Sequence, residues 1–265
     1  MPKCPVAHTL LRLLMRAGLL GSVLGLPLAA QVTEAPTTVA PGQWLVEADL
    51  VSVAYDRHTY QRDGVHFRST YLGSTLLSTG VVERLDVQFG LEFWREEQAT
   101  SNGAVERGRG LGDAWLRAKW NFAGDEATGP AWALLPYVKL PLAHEDIGNG
   151  ETEPGLVLVY GRPLAGEKAF NGMIGLDWLA DGDGGRSPTC YGSMSVTWPC
   201  RHQLCAYLET VAIVSEGASR EWSGELGVGL THTTKRGLTL DLALYVGVTR
   251  SAPDWTPVLR LVWPL

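Results

Sequence analysis

The sequence predicts an all-β protein: a closed antiparallel transmembrane β-barrel of about twelve strands, preceded by a cleaved signal peptide. Three observations predict it. Apolar and polar residues alternate with period two through most of the chain after residue 42. The alternating segments are mostly about 10 to 14 residues long; globular strands average about five or six, and a tilted membrane-crossing strand needs about nine to eleven. Long polar connections alternate with tighter ones, as outer loops and periplasmic turns do in outer-membrane barrels.

Residues 1–30 read as the signal peptide. Lys3, Arg12 and Arg16 make a basic start, and "AGLLGSVLGLPLAA" (17–30) is uncharged and largely apolar. A spanning helix needs roughly 20 apolar residues, more than this run supplies. Leu28, Ala29 and Ala30 before Gln31 form an acceptable cleavage site, and Cys4 lies too far upstream to be a lipoprotein acceptor. The leader carries three basic residues and no acidic one, so its removal takes the balance from 22 basic against 28 acidic to 19 against 28. An acidic chain of this kind argues against a nucleic-acid partner.

Residues 31–41, "QVTEAPTTVAP", are Thr/Pro-rich and read as a flexible or extended lead into a single barrel domain over 42–265. In the first strand Trp44, Val46, Ala48 and Leu50 oppose Gln43, Glu47 and Asp49. Over 84–93, Leu85, Val87, Phe89, Leu91 and Phe93 fall on one face, with Arg84, Asp86, Gln88, Gly90 and Glu92 on the other. Wound at 100° per residue the five apolar side chains would scatter, so this segment is a strand. Leu116, Ala118 and Trp120 oppose Asp113, Arg117 and Lys119, with Trp115 breaking the charged face. Trp132, Leu134, Val138 and Leu140 oppose Tyr137 and Lys139; Trp222, Leu226, Val228 and Leu230 oppose Glu225; Leu238, Leu240, Leu242 and Leu244 oppose Asp241. Strands near 65–79, 155–163, 169–180, 189–198 and 203–213 alternate less regularly. The polar stretches 95–110, 143–154 and 181–189 read as long loops, and 79–84 and 233–237 as tight turns; 121–130 is long for its place in the pattern.

The chain closes on "WTPVLRLVWPL", where Trp255, Pro257, Leu259, Leu261, Trp263 and Leu265 share one face and Arg260 lies opposite. This suits a bilayer-facing strand with aromatic ends and resembles the C-terminal assembly signal of bacterial outer-membrane proteins, although Leu265 stands where that signal has Phe or Trp. The resemblance implies outer-membrane lipid and the barrel-assembly machinery as partners. Of the three cysteines beyond the leader, Cys200 and Cys205 are the nearest pair in sequence, and bridged and free thiols fit equally.

A secreted β-sandwich would produce the same alternation with the charges outward. Aromatic residues near strand ends favour the membrane barrel, because amphipathic Trp rings prefer the interface. The polar faces then line a lumen, with Arg84, Asp86, Glu92, Asp113, Arg117, Lys119, Tyr137, Lys139, Glu225, Asp241 and Arg260 as candidate lumen-lining residues. Opposite charges there either pair and close the lumen or bias which solutes pass.

"GLGDAWLRAKWNF" (110–122) and "ALLPYVKLPLAHEDIGNGETEPGLVLVY" (133–160) resemble a bacterial family of outer-membrane β-barrels described as transporters or as components of a phenol-degradation pathway. The matching residues are Gly110, Gly112 and Asp113, then Pro136, Tyr137, Lys139 and Pro141, then Gly148, Asn149 and Gly150. The resemblance implies a barrel of about twelve strands in the bacterial outer membrane.

No P-loop, Gly-x-Ser-x-Gly elbow or His-Glu-x-x-His motif is present, and "GRGLGD" opens a strand rather than a helix, so it is not a dinucleotide fingerprint. His232 ends an apolar face and is explained by an interfacial position. Asp146, Asn149 and Glu151, with Asp181 and Asp183, are oxygen-rich, but acidic outer loops serve solubility equally well. The expected function is passive passage of small solutes, hydrophobic or aromatic ones included, with no enzyme activity, cofactor or catalytic residue. The alternatives are a structural or ligand-binding barrel and, more remotely, a membrane-embedded hydrolase.

Overall fold

The computed structural model describes residues 32–265 except 57–64, 102, 181–183, 202 and 216–220. The strands are β1 (Trp44–Asp56), β2 (Val65–Val82), β3 (Leu85–Ser101), β4 (Ala104–Gly110), β5 (Ala114–Gly124), β6 (Ala131–Leu140), β7 (Glu153–Leu164), β8 (Lys168–Ala180), β9 (Arg186–Pro199), β10 (Leu204–Ser215), β11 (Glu221–Thr233), β12 (Thr239–Gly247) and β13 (Trp255–Pro264). Each pairs antiparallel with its neighbours, and β1 pairs with β13 from Leu45↔Pro264 to Tyr55↔Trp255, which closes the ring. The near half of β3 pairs with β5 (Leu85↔Trp120 to Leu91↔Ala114), and its far half pairs with β4 (Arg95↔Gly110 to Ser101↔Ala104). β4 and β5 thus occupy one place in a wall of twelve.

The stretch 95–110, expected to be a loop, is instead the upper part of β3 followed by β4. β2, β3 and β4 rise together as a taller section of wall. The reason for the misreading is physical: a strand beyond the apolar band has no greasy face, so its alternation vanishes and its polarity resembles a loop. Arg84 is also displaced from its expected place. It sits in the two-residue turn between β2 and β3 at φ 67°, with its side chain exposed, and so is not among the interior charges. Cys190, Cys200 and Cys205 are unbridged.

The two faces of the wall decide between membrane barrel and sandwich. On the outer face, Phe89, Leu116, Leu226, Val228, Leu230 and Leu242 are exposed. On the inner face, Asp86, Asp113, Arg117, Lys119, Lys139, Asp241 and Arg260 are all under a tenth exposed. A water-soluble sandwich has the reverse arrangement. Closure also gives every strand but β4, which pairs with β3 alone, a partner on each side, as lipid requires of any spanning sheet. Aromatic side chains ring both edges of the apolar band. At one edge Trp132 packs on Tyr160 (centroids 4.6 Å apart) and Tyr160 on Phe170 (6.1 Å); at the other Tyr55 packs on Trp255 (5.5 Å). The first edge carries the turns 83–84, 165–167 and 234–238, and short turns mark the periplasmic side.

Candidate functional site: the lumen and the N-terminal segment

The strands aim a charged wall and an apolar wall at one another. Inward residues of β1, β3 and β5, with Asp113 just before β5, are mainly ionic or polar: Asp49, Asp86, Gln88, Glu92, Asp113, Arg117 and Lys119. Across the lumen, β6–β10 and β13 turn Leu135, Val157, Val159, Met173, Val211, Ile213 and Val258 inward, where they form one buried cluster. The sequence signal for this second wall is the irregular alternation of β7, β8 and β10. A strand apolar on both faces reads as a run, such as "LVLV" (156–159), and not as a stripe.

Residues 32–41 lie inside this lumen. At the periplasmic edge Pro41 bridges Gly80 in parallel, and a Cβ on Gly80 would stand 2.2 Å from the Ala40 carbonyl oxygen. Only glycine admits a second backbone so close. Val39 N–H donates to Asp86 Oδ2 (2.9 Å), Asn121 Nδ2 to the Pro36 carbonyl (3.2 Å) and Thr33 N–H to Glu209 Oε1 (2.5 Å). Asp86 is on β3 and Glu209 on β10, six places apart in the ring of twelve, so the segment crosses the full diameter. Its extended form follows from its Thr/Pro composition. Its partners do not, because they are dispersed over the barrel sequence.

The centre of the crossing is ionic. Glu34 meets Arg117 Nη2 at 2.5 Å and Lys119 Nζ at 2.7 Å, and all three side chains are less than a tenth exposed. Two of the candidate lumen cations therefore share a carboxylate that the N-terminal segment supplies.

Toward the outer mouth, the residues that carry the family resemblance converge. Lys139 Nζ contacts Glu153 Oε2 (2.7 Å), Asp113 Oδ2 (3.3 Å) and Asn149 Oδ1 (2.8 Å), while Ala143 N–H donates to Asp113 Oδ1 (3.1 Å). This cluster ties the 141–152 loop to β5, β6 and β7. Asn149 is thus engaged by a cation's side chain and by Glu153; Asp181 and Asp183 lie outside the described residues. Glu92 stands 3.8 Å from Arg95. On the far wall Arg260 bridges Asp49 (2.7 Å) and Asp241 (3.6 Å). Of the eleven candidates, all but Arg84 turn inward; Tyr137 is half-buried and the rest are buried. Sequence reasoning missed Glu34, Glu153, Asp177 and Glu209, whose neighbours in sequence give no hint of their partners. His232 is exposed near the periplasmic end of β11.

Four inward tyrosines complete the wall, each directly across from a glycine: Tyr137↔Gly155, Tyr191↔Gly175, Tyr207↔Gly229 and Tyr245↔Gly227. Each ring lies over the glycine, covering backbone that has no side chain of its own. Three of the hydroxyls donate to carboxylates: Tyr137 to Asp177 (2.5 Å), Tyr207 to Asp241 (3.1 Å) and Tyr245 to Glu209 (2.6 Å). A Cβ at Gly175 would fall 2.1 Å from Tyr191 Cζ. Gly175→Val is therefore expected to destabilise the barrel by about 1–3 kcal/mol through overpacking, read as a lower denaturant midpoint in lipid vesicles.

The fold has solved counterparts. An outer membrane channel from Pseudomonas putida F1 superposes with TM-score 0.64 at 14% identity, over 86% of this chain and 97% of that one. The translocator domain of the autotransporter NalP from Neisseria meningitidis gives 0.57 at 10% identity, over 97% of both chains. The NanC porin gives 0.51 at 11% identity, over 82% of this chain and 97% of that one. No curated protein matches significantly. The fold is that of these bacterial outer-membrane barrels. Residues 29–263 match the family described as "Putative MetA-pathway of phenol degradation", and the chain belongs to that family.

Proposed function

We propose that the barrel admits small apolar or aromatic solutes passively, along the apolar wall of its lumen. The observation that carries this reading is where Val32 sits: the side chain at the inner end of the N-terminal segment packs on the buried cluster of Leu135, Val157, Met173 and their neighbours. An aliphatic group already occupies that wall, and a solute of similar character can take its place. The void left beside it, between Val32, Glu34, Tyr137 and Tyr191, is small, so the solute must displace the end of the segment. The tyrosine hydroxyls and carboxylates above it supply hydrogen-bond partners for one polar group on an otherwise apolar molecule. Assembly proceeds through β13, whose outward Trp255, Leu259, Leu261 and Trp263 form the closing strand.

Proteoliposomes provide the test. A small phenolic or aromatic solute should enter faster than a sugar of equal size, and Met173→Glu should abolish the difference. Equal rates for both solutes would refute selectivity for apolar solutes. The seated segment favours a second reading, a barrel that binds such a molecule without passing it, and binding without any entry of solute would establish that instead.

A further inference from the structure

Three arginines gather on the outward face of the taller section of wall. Ser69 and Tyr71 on β2, Arg95 and Glu97 on β3 and Gly108 on β4 are buried on the lumen side. By alternation, Arg68, Glu96, Gln98, Arg107 and Arg109 point the other way. The register sets them side by side, as Arg68↔Gln98↔Arg107 with Glu96↔Arg109 in the adjoining row. Arg68 Nη2 donates to Glu96 Oε1 (3.2 Å) and Gln98 Oε1 (3.0 Å). Arg107 Nη2 donates to the same Gln98 oxygen (3.0 Å), and its Nε lies 3.8 Å from Glu96. One carboxylate thus serves two guanidinium groups. The shielded Arg68 Nε–H has no partner, and the exposed Arg109 side chain has none among the described residues. In a chain of net charge −6, this face sets three cations against one anion.

Each strand places these residues just past the apolar band on the outer side. On β2, Leu72 is the outermost exposed large apolar residue, and Arg68 lies two outward positions beyond it. On β3 the corresponding residue is Phe93, with Glu96 and Gln98 beyond it. Where the chain leaves β4, Leu111 is exposed, and Arg109 and Arg107 precede it on the outer side. Arg68 also lies directly across from Tyr55, whose ring packs on Trp255 at the outer aromatic edge. This is the depth at which lipid headgroups meet acyl chains. Planar guanidinium groups bind phosphate with paired hydrogen bonds, and Arg is the cation best suited to it. We propose that Arg68, Arg107 and Arg109 form a docking site for a phosphorylated lipid of the outer leaflet. The lipid phosphate sits on the guanidinium groups, and the acyl chains continue down over Leu72, Phe93 and Leu111. Glu96 and Gln98 hold Arg68 and Arg107 side by side, and the phosphate supplies the negative charge that one carboxylate does not.

The test uses protein purified from outer membranes in detergent and stripped of lipid. It is titrated with bisphosphorylated lipid A, with the same lipid after enzymatic dephosphorylation, and with inorganic phosphate. The parent should bind the phosphorylated lipid about tenfold or more tightly than the dephosphorylated one. Combining Arg68→Gln, Arg107→Gln and Arg109→Gln should remove that difference. Inorganic phosphate in large excess should not displace the lipid; ready displacement would reveal a site for free anions and overturn docking of a lipid. Arg162→Gln removes an exposed arginine at the periplasmic end of β7 and should leave binding unchanged. Equal binding of the two lipids, preference retained by the triple variant, or an equal loss in Arg162→Gln would each overturn the proposal. A triple variant that fails to assemble shows itself by losing heat-modifiable mobility. Arg109→Gln, which breaks no ion pair among the described residues, then takes its place and should weaken binding several-fold; unchanged binding there would overturn the proposal as well.

Discussion

Glu34→Ala is expected to release the N-terminal segment and turn a closed lumen into a conducting one. In the parent the Glu34 carboxylate meets both Arg117 and Lys119, with all three side chains shielded from water. Removing one member of a buried ionic group leaves the others uncompensated, at a cost of about 3–5 kcal/mol. The segment's other ties include hydrogen bonds from the Val32, Thr33 and Val39 amides, from the Thr33 and Thr37 hydroxyls and from Asn121 to the Pro36 carbonyl, and the short bridge at Gly80, each contributing about 0.5–3 kcal/mol. They are distributed along ten residues and cannot hold the centre in place once its cations attract water. Single-channel recording should show long conducting levels in Glu34→Ala and brief or absent ones in the parent. The origin of the effect is separable: adding Arg117→Met and Lys119→Met to Glu34→Ala removes the stranded cations and should restore much of the closure. Currents in Glu34→Ala indistinguishable from the parent would show that the segment is held by its backbone contacts alone.

Leu242→Arg should destabilise the barrel by about 2–4 kcal/mol in a bilayer, the cost of a cation at mid-depth on the lipid face. Leu242 is 61% exposed, lies mid-strand in β12 between Leu230 and Leu259, and shares its face with the exposed Val228, Leu240 and Leu244. In a water-soluble protein, arginine at so exposed a position would be close to neutral, so the size of the effect reports lipid contact directly. Val248→Arg, also on an exposed valine but just past the outer end of β12, should cost only about 0–1 kcal/mol. Reversible unfolding in vesicles measures both. Equal costs at the two positions would contradict the placement of the apolar band.

The regular strands were legible because their two faces differ. Leu85 to Phe93 could be assigned from period alone, and so could the inward direction of Asp86, Asp113, Arg117, Lys119 and Lys139. Where the faces agree, period carries no information. The polar upper part of β3 with β4 therefore reads as a loop, and β7, β8 and β10, apolar on both faces, read as irregular. Arg84 shows a third limit. It continues the polar face of β3 in sequence, but the strand begins only one residue after it, and a turn residue at positive φ aims its side chain away from the lumen.

By itself, the sequence determined the all-β class, the barrel's two faces and its residence in a bilayer. All of these are written in local order: residue type against residue parity, and segment length against bilayer thickness. What fills the lumen was decided by the tertiary structure. Glu34 lies 83 residues from Arg117, and Thr33 lies 176 from Glu209; no period connects them, and only ring closure brings β3 and β10 to opposite ends of one diameter. The same holds for Asp113, Lys139 and Glu153, which are separate marks along the chain and a single ionic cluster in the fold. Local alternation can specify which side of a strand is wet; it takes a closed wall to specify which residues share the water.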